Sequence, residues 1–216
     1  MGLFIDSANI GEIREIARWG VVQGVTTNPK IFSSEETDLK TRVSEILNLV
    51  PGPLSLEVTT NDLDEMILEA EKFASWSEHV VVKLPMSPVG LQALSILKEK
   101  GVRTNLTAIM TPGQALLAGL GGATYASIFF GRINDIGSNA LEVIQQTATL
   151  FKRDGLSTKI IVGSIRVATQ ITEAALAGAD IVTVPHKFFS QLANHPQTEK
   201  TIQEFLEAWS AFKTPA

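Results

Sequence analysis

The sequence predicts an α/β protein folded as a (β/α)8 TIM barrel with an additional C-terminal helix. Three observations carry this expectation. Short runs rich in β-branched residues recur along the whole chain, at 3–7, 24–28, 54–59, 80–85, 102–108, 125–131, 158–164 and 180–185. Each is followed by a stretch whose apolar residues return at intervals of three and four, the period of a helix with one buried face. Eight such units in 216 residues average about 27 residues each, the compact end of what such a barrel uses.

Taken in order, LFIDS opens the chain, and Asn9 with Glu12 has the spacing of a capping box. That starts a helix with Ile10, Ile13, Ile16 and Ala17 on one side. GVTTN and LSLEVT follow as strands, and Leu63, Met66, Ile67, Ala70, Phe73 and Ala74 repeat the helical pattern. VVVKLP is apolar apart from Lys83, as a parallel strand buried on both faces requires. VRTNLTA, YASIFFG, TKIIVGS and DIVTVP supply the remaining strands. Beyond the eighth unit, Ile202, Phe205, Leu206, Trp209 and Phe212 form the apolar stripe of a helix over 198–213, which either covers the barrel or docks on a neighbouring subunit. Gly and Pro are scattered as punctuation rather than gathered into a linker, so a single domain over 1–216 is expected. The competing architecture, an open doubly wound sheet, is disfavoured because no G-x-G-x-x-G follows the first strand.

Composition narrows the function. Hydrophobic residues make up 44% and charged residues 19% of the chain, enough to bury a full core, and the net charge is -5 without any basic run. Nucleic acid and anionic membranes are therefore not expected partners. There are no cysteines, which removes disulfides, thiolate metal sites and a thiol nucleophile, and fits a cytoplasmic setting. No apolar window approaches the length of a membrane span, and the N-terminus has no secretory pattern. No His and carboxylate spacing matches a metal site, so no metal is expected.

In a barrel of this kind, chemistry gathers at the C-terminal strand ends. Those ends here carry Asp6, Thr26 to Asn28, Glu57, Lys83, Asn105 with Thr107, Ser127, and Ser164. Strand parity groups Asp6 with Phe4, Glu57 with Ser55, Asn105 with Thr107 and Ser127 with Phe129. If that face is the interior, an acid, a second acid, a lysine, amides and hydroxyls converge. Lys83 is the most informative, because an amine taken out of water is disfavoured as a cation and becomes a nucleophile toward a carbonyl. A lysine that merely snorkels from a strand end, as expected for Lys159, is the competing reading. Gly163-Ser164-Ile165-Arg166 lies where the seventh strand meets its helix, a place that often holds phosphate. Ser164 and neighbouring N–H groups would donate to the phosphate, with Arg166 clamping it and Arg132 supplying a second cation. His79 and His195 are expected in solvent, whereas His186 either touches substrate or packs.

The series FIDSAN, GVTTNPKIF, LSLEV, VVVKLP, TNLTAI, FFGRI and GSIR resembles the transaldolase family, in particular its short bacterial type that includes fructose-6-phosphate aldolase. The resemblance spans essentially the whole chain, and seven motifs in order are specific together. It implies a Schiff-base lysine at Lys83 and no cofactor, Asp6 as the acid/base at the hydroxyl whose deprotonation breaks the carbon–carbon bond, and Glu57 and Thr107 holding a relay water. It further implies that Asn28, Asn105 and Ser127 orient the dihydroxyacetone hydroxyls, and that Arg132, Ser164 and Arg166 bind phosphate. The aldolase branch carries Gln where Glu57 stands and Tyr where Phe129 stands, so the resemblance favours a transaldolase. That enzyme moves dihydroxyacetone between sedoheptulose 7-phosphate and glyceraldehyde 3-phosphate. Release of free dihydroxyacetone, as in fructose-6-phosphate aldolase, is the alternative, and a sugar-phosphate binder without turnover is a third. Short relatives form pentamers or decamers, which implies a homo-oligomer here. Ile165 departs from the Phe of many relatives and Ile128 from their Pro.

Overall fold

The computed structural model describes residues 1–33 and 37–213; the expected domain over 1–216 also takes in 34–36 and 214–216, which lie outside the described residues. Eight strands form the sheet: β1 (Gly2–Asp6), β2 (Val22–Thr26), β3 (Leu54–Glu57), β4 (Val80–Pro85), β5 (Thr104–Ile109), β6 (Tyr125–Phe129), β7 (Lys159–Gly163) and β8 (Ile181–Val184). Between them run α1 (Ile10–Ala17), α2 (Pro29–Phe32), α3 (Leu39–Leu49), α4 (Leu63–Ala74), α5 (Pro88–Glu99), α6 (Pro112–Gly121), α7 (Phe130–Asp135), α8 (Ala140–Arg153) and α9 (Thr169–Leu176). Two more, α10 (His186–Ala193) and α11 (Pro196–Lys213), close the chain. The strands pair in sequence order, and β8 pairs with β1, so the sheet closes as a parallel barrel. This is a (β/α)8 TIM barrel with a C-terminal helix.

Local chemistry sets where strands yield to helices. Asn9 caps α1 by accepting the Glu12 N–H at 3.1 Å. Asn28, Ser87 and Thr111 each cap a helix whose first turn begins with proline, at Pro29, Pro88 and Pro112. Proline's fixed φ suits that position, and its missing N–H is one the helix leaves unpaired anyway. This pattern explains the strand boundaries that differ from expectation. The β-branched run at 24–28 reads as strand to Asn28, but β2 ends at Thr26 because Asn28 is already a helix cap. The expected strand over 125–131 likewise stops at Phe129, and Phe130 enters the short helix α7.

Two apolar layers hold the barrel. The larger lies between sheet and helices and includes Ile5, Ile13, Ile16, Leu56, Met66, Val82, Leu84, Leu106 and Val162. The smaller fills the barrel floor with Phe4, Val81, Tyr125, Ile161 and Ile181. Phe4 meets Tyr125 edge to face with centroids 6.3 Å apart, and burying such a ring contributes about 1.5–3 kcal/mol. Gly24 is needed beside it, since a Cβ there would lie 2.7 Å from the Phe4 ring. Above this floor the next inward positions are polar, and there the site begins.

The apolar stripe of α11 does not cover its own barrel. Ile202, Phe205, Leu206, Trp209 and Phe212 are 53% to 78% exposed, and the Trp209 and Phe212 rings stack on each other at 5.6 Å. Among the described residues, no helix is long and apolar enough to cross a membrane.

Candidate active site

The inward polar residues are brought to one level by strand register. Glu57 pairs with Lys83 across β3 and β4, Lys83 with Asn105 across β4 and β5, and Asp6 with Thr26 across β1 and β2. A cavity of about 560 Å³, counting its open mouth, is lined by Asp6, Thr26, Asn28, Lys83, Ser127 and Phe129 on one side. Arg132, Gly163, Ser164 and Thr183 line the other.

Lys83 is only 5% exposed, and its ammonium has two partners among the described residues. The Glu57 carboxylate lies 3.0 Å from Nζ, and the carbonyl of Thr27 accepts from it at 3.0 Å. Burying an ammonium is strongly unfavourable without such partners, so the pair explains how VVVKLP tolerates a lysine. Lys159, by contrast, is exposed at the start of β7.

Asp6 has a different environment. Burial disfavours its carboxylate and raises the carboxyl above its ordinary value of 3.8. The hydrogen bond from Thr26 and the charge of Lys83 oppose that rise, while the Glu57 charge adds to it. Thr26 Oγ1 donates to Asp6 Oδ1 at 2.8 Å and also lies 2.5 Å from Thr183 Oγ1. A carboxyl whose charged form is disfavoured by burial and favoured by the Lys83 charge is suited to giving and taking a proton.

Asn105 is fully buried beneath the cavity rather than on its wall. It accepts from Ser127 Oγ at 2.7 Å and donates to Ser55 Oγ at 3.2 Å, so a chain of hydrogen bonds runs from β6 through β5 to β3. Ser127 therefore gives its proton to Asn105 and presents lone pairs to the cavity. Thr107 is 1% exposed, and among the described residues its Oγ1 has no hydrogen-bond partner. A buried hydroxyl left so costs about 1–3 kcal/mol and marks a place where a ligand or water completes the bond. Ala108, next to it, has φ 59° where β5 loses register with β6, and such strain in a residue other than glycine gathers at working sites. Asn28 spends Oδ1 on the Ile31 N–H at 3.1 Å, which leaves its NH2 group for the cavity.

The corner expected to bind an anion differs from expectation in two respects. Arg132 and Ser164 line the cavity, and Arg132 stands over the Phe129 ring at 5.9 Å. Arg166 does not line it, because its guanidinium forks onto Asp135, with Nη1 to Oδ1 at 2.5 Å and Nη2 to Oδ2. Two of the N–H groups that follow Ser164 are also taken. Those of Arg166 and Val167 both donate to Gln170 Oε1, and α9 begins only at Thr169. Ser164 itself holds φ 59°. His186 sits outside the cavity, with Nε2 3.0 Å from Glu15 and Nδ1 3.9 Å from Glu12. Among the described residues, no group of His, Asp and Glu is placed to hold a metal ion.

Sequence reasoning assigned no role to Thr183, Ala108 or Asp135. Thr183 had a signal, as the lone polar residue of IVTV on the same face as Ile181. Ala108 had none, since alanine does not announce a positive φ.

The family model for Transaldolase/Fructose-6-phosphate aldolase matches residues 3–214. A probable transaldolase of Symbiobacterium thermophilum is 46% identical over 213 residues, covering 99% of both chains. One from Geobacillus kaustophilus is 45% identical over 213 residues, covering 99% of this chain and all of its own. A solved mandelate oxidase superposes with a TM-score of 0.59 at 12% identity, over 85% of this chain and 63% of its own, and shares the fold alone. The chain belongs to the transaldolase/fructose-6-phosphate aldolase family.

Proposed function

We propose that the protein is a transaldolase that moves a dihydroxyacetone unit from sedoheptulose 7-phosphate to glyceraldehyde 3-phosphate through a Schiff base on Lys83. The observation that carries this reading is the buried Lys83 ammonium beside two carboxyl groups of unlike environment. Glu57 takes a proton from Nζ, and the freed amine adds to the ketone carbon. Water then leaves, assisted by Glu57 and the Thr107 hydroxyl, and a protonated imine remains. Asp6, ionised beside that cation, removes the proton from the hydroxyl on the carbon beyond the bond to be cleaved. The bond's electron pair flows into the imine and gives an enamine, and the aldose phosphate departs. The acceptor aldehyde is attacked by the enamine while Asp6 returns its proton, and water releases the new ketose phosphate. Asn28 and Ser127 hold the hydroxyls of the three-carbon unit, and Asn105 orients Ser127. Arg132, Ser164 and Arg166 bind phosphate.

Glu57 and Phe129 favour transfer over release of free dihydroxyacetone, the activity of the fructose-6-phosphate aldolase branch. The exposed stripe of α11 supports a homo-oligomer in which that helix docks on a neighbour. A cytoplasmic setting and a single domain over 1–216 belong to the same reading.

The deciding experiment measures glyceraldehyde 3-phosphate release from fructose 6-phosphate with and without erythrose 4-phosphate. Sustained release only with the acceptor is expected, because Lys83 stays occupied until the three-carbon unit is handed on. Equal release without acceptor assigns the protein to the aldolase branch, and no release in either arm rejects this substrate class.

A further inference from the structure

We propose that Asp135 is a positioning residue that competes with the substrate's phosphate for Arg166, and so sets how tightly the phosphate is held and how readily it leaves. The inference rests on the reading that Arg132, Ser164 and Arg166 form the phosphate site. Asp135 lies three residues after Arg132 on α7, so one helical turn carries both a cation for the cavity and a carboxylate beside it. Arg132 has no carboxylate partner among the described residues, whereas Arg166 engages both oxygens of Asp135.

Arg166 is withheld from the cavity but not remote from it. Gly131 separates the two arginines' surroundings, and a Cβ there would fall 2.6 Å from Arg166 Nε and 2.5 Å from the Ser164 carbonyl. The stem of Arg166 therefore lies on bare backbone next to Arg132, and the Gly131 N–H donates to Ser164 O at 3.0 Å. Gln170 anchors the backbone of Arg166 and Val167, so only the side chain has to swing. The pair is about half exposed, at 53% and 46%, which keeps its net worth small. A phosphate dianion offers the same bidentate geometry with about twice the charge, and so outcompetes the carboxylate. When the phosphate leaves, Asp135 takes the guanidinium back.

The test uses Asp135→Asn, which keeps the shape and removes the charge, in the full chain. Calorimetric titration with inorganic phosphate should show binding about fivefold tighter than in the parent, the upper end for loss of an exposed ion pair. In an Arg166→Ala background the same substitution should change nothing, since there is no guanidinium left to release. Unchanged or weaker phosphate binding in Asp135→Asn overturns the proposal. So does an equal gain in the Arg166→Ala background, which marks a long-range charge effect. Binding of unphosphorylated dihydroxyacetone, read by borohydride trapping, should not move in Asp135→Asn. Arg132→Ala separates the two levels of the argument: unchanged phosphate affinity there rejects the phosphate site itself, and the proposal with it.

Discussion

The Lys83–Glu57 pair makes a prediction that joins stability to chemistry. Lys83→Met keeps the length of the stem and removes the charge, leaving the Glu57 carboxylate and the Thr27 carbonyl without their donor. Truncating one partner of a buried ion pair costs about 3–5 kcal/mol, because the other charge stays buried and unpaired. The Glu57 side chain retains 22% of its exposure, so the lower end, ~3 kcal/mol, applies. For a chain of this length that is a fall of about 6–12 °C in Tm. Adding Glu57→Gln to Lys83→Met removes the stranded charge and should recover about 2 kcal/mol, so the cycle shows strong coupling. Urea denaturation of the parent, both single variants and the double variant reads this directly, provided the m-values match. Strict additivity would mean that the pair does not hold Lys83 in place. The same proteins, reduced with borohydride in the presence of fructose 6-phosphate, should give a covalent adduct only where Lys83 is present. An adduct of equal yield in Lys83→Met would remove Lys83 from the proposed chemistry.

Four further predictions follow from the same geometry. Asp6→Asn should lower kcat by roughly 10²–10⁴-fold. It should also raise stability at neutral pH, because burial makes ionised Asp6 unfavourable. With the folded carboxyl above 3.8, the native state holds its proton more tightly than the unfolded chain. The advantage of Asp6→Asn over the parent therefore shrinks as pH falls through the folded value toward 3.8. Thermal melts across that range check it, and a gap that widens on acidification contradicts the assignment. Ser127→Ala should cost about 1–3 kcal/mol in urea denaturation by leaving Asn105 Oδ1 buried without a donor; no loss would mean the chain of hydrogen bonds is idle. Phe129→Tyr should raise acceptor-free release of dihydroxyacetone about fivefold, equivalent to ~1 kcal/mol of barrier, and an unchanged rate rejects the role given to Phe129. Deleting 198–216 should reduce the molar mass seen by light scattering while the barrel keeps its far-ultraviolet spectrum. An unchanged mass means α11 makes no subunit contact.

Much of this molecule is legible without coordinates, because its signals are periodic. A strand's side chains alternate, so the shared parity of Phe4 and Asp6, of Ser55 and Glu57, and of Val81 and Lys83 already sorts the inner face of the barrel from its outer face. The unbroken apolar runs of the parallel strands make each polar interruption conspicuous, and Lys83 is the clearest of them. The sequence alone therefore determined the fold class, the family, and the group of polar residues at the strand ends. The tertiary structure decided which of those residues face the cavity and which support it. Asn105 lies beneath Ser127, Thr107 is left with an unpartnered hydroxyl, and Glu57 meets Lys83, because strand register sets neighbours and no local pattern encodes it. The exposure of α11 and the capture of Arg166 by Asp135 across 31 residues were likewise settled only in three dimensions. The physical reason is range: helix and strand periods are written within a few residues, whereas an ion pair between distant segments forms only once the barrel has closed and brought them together.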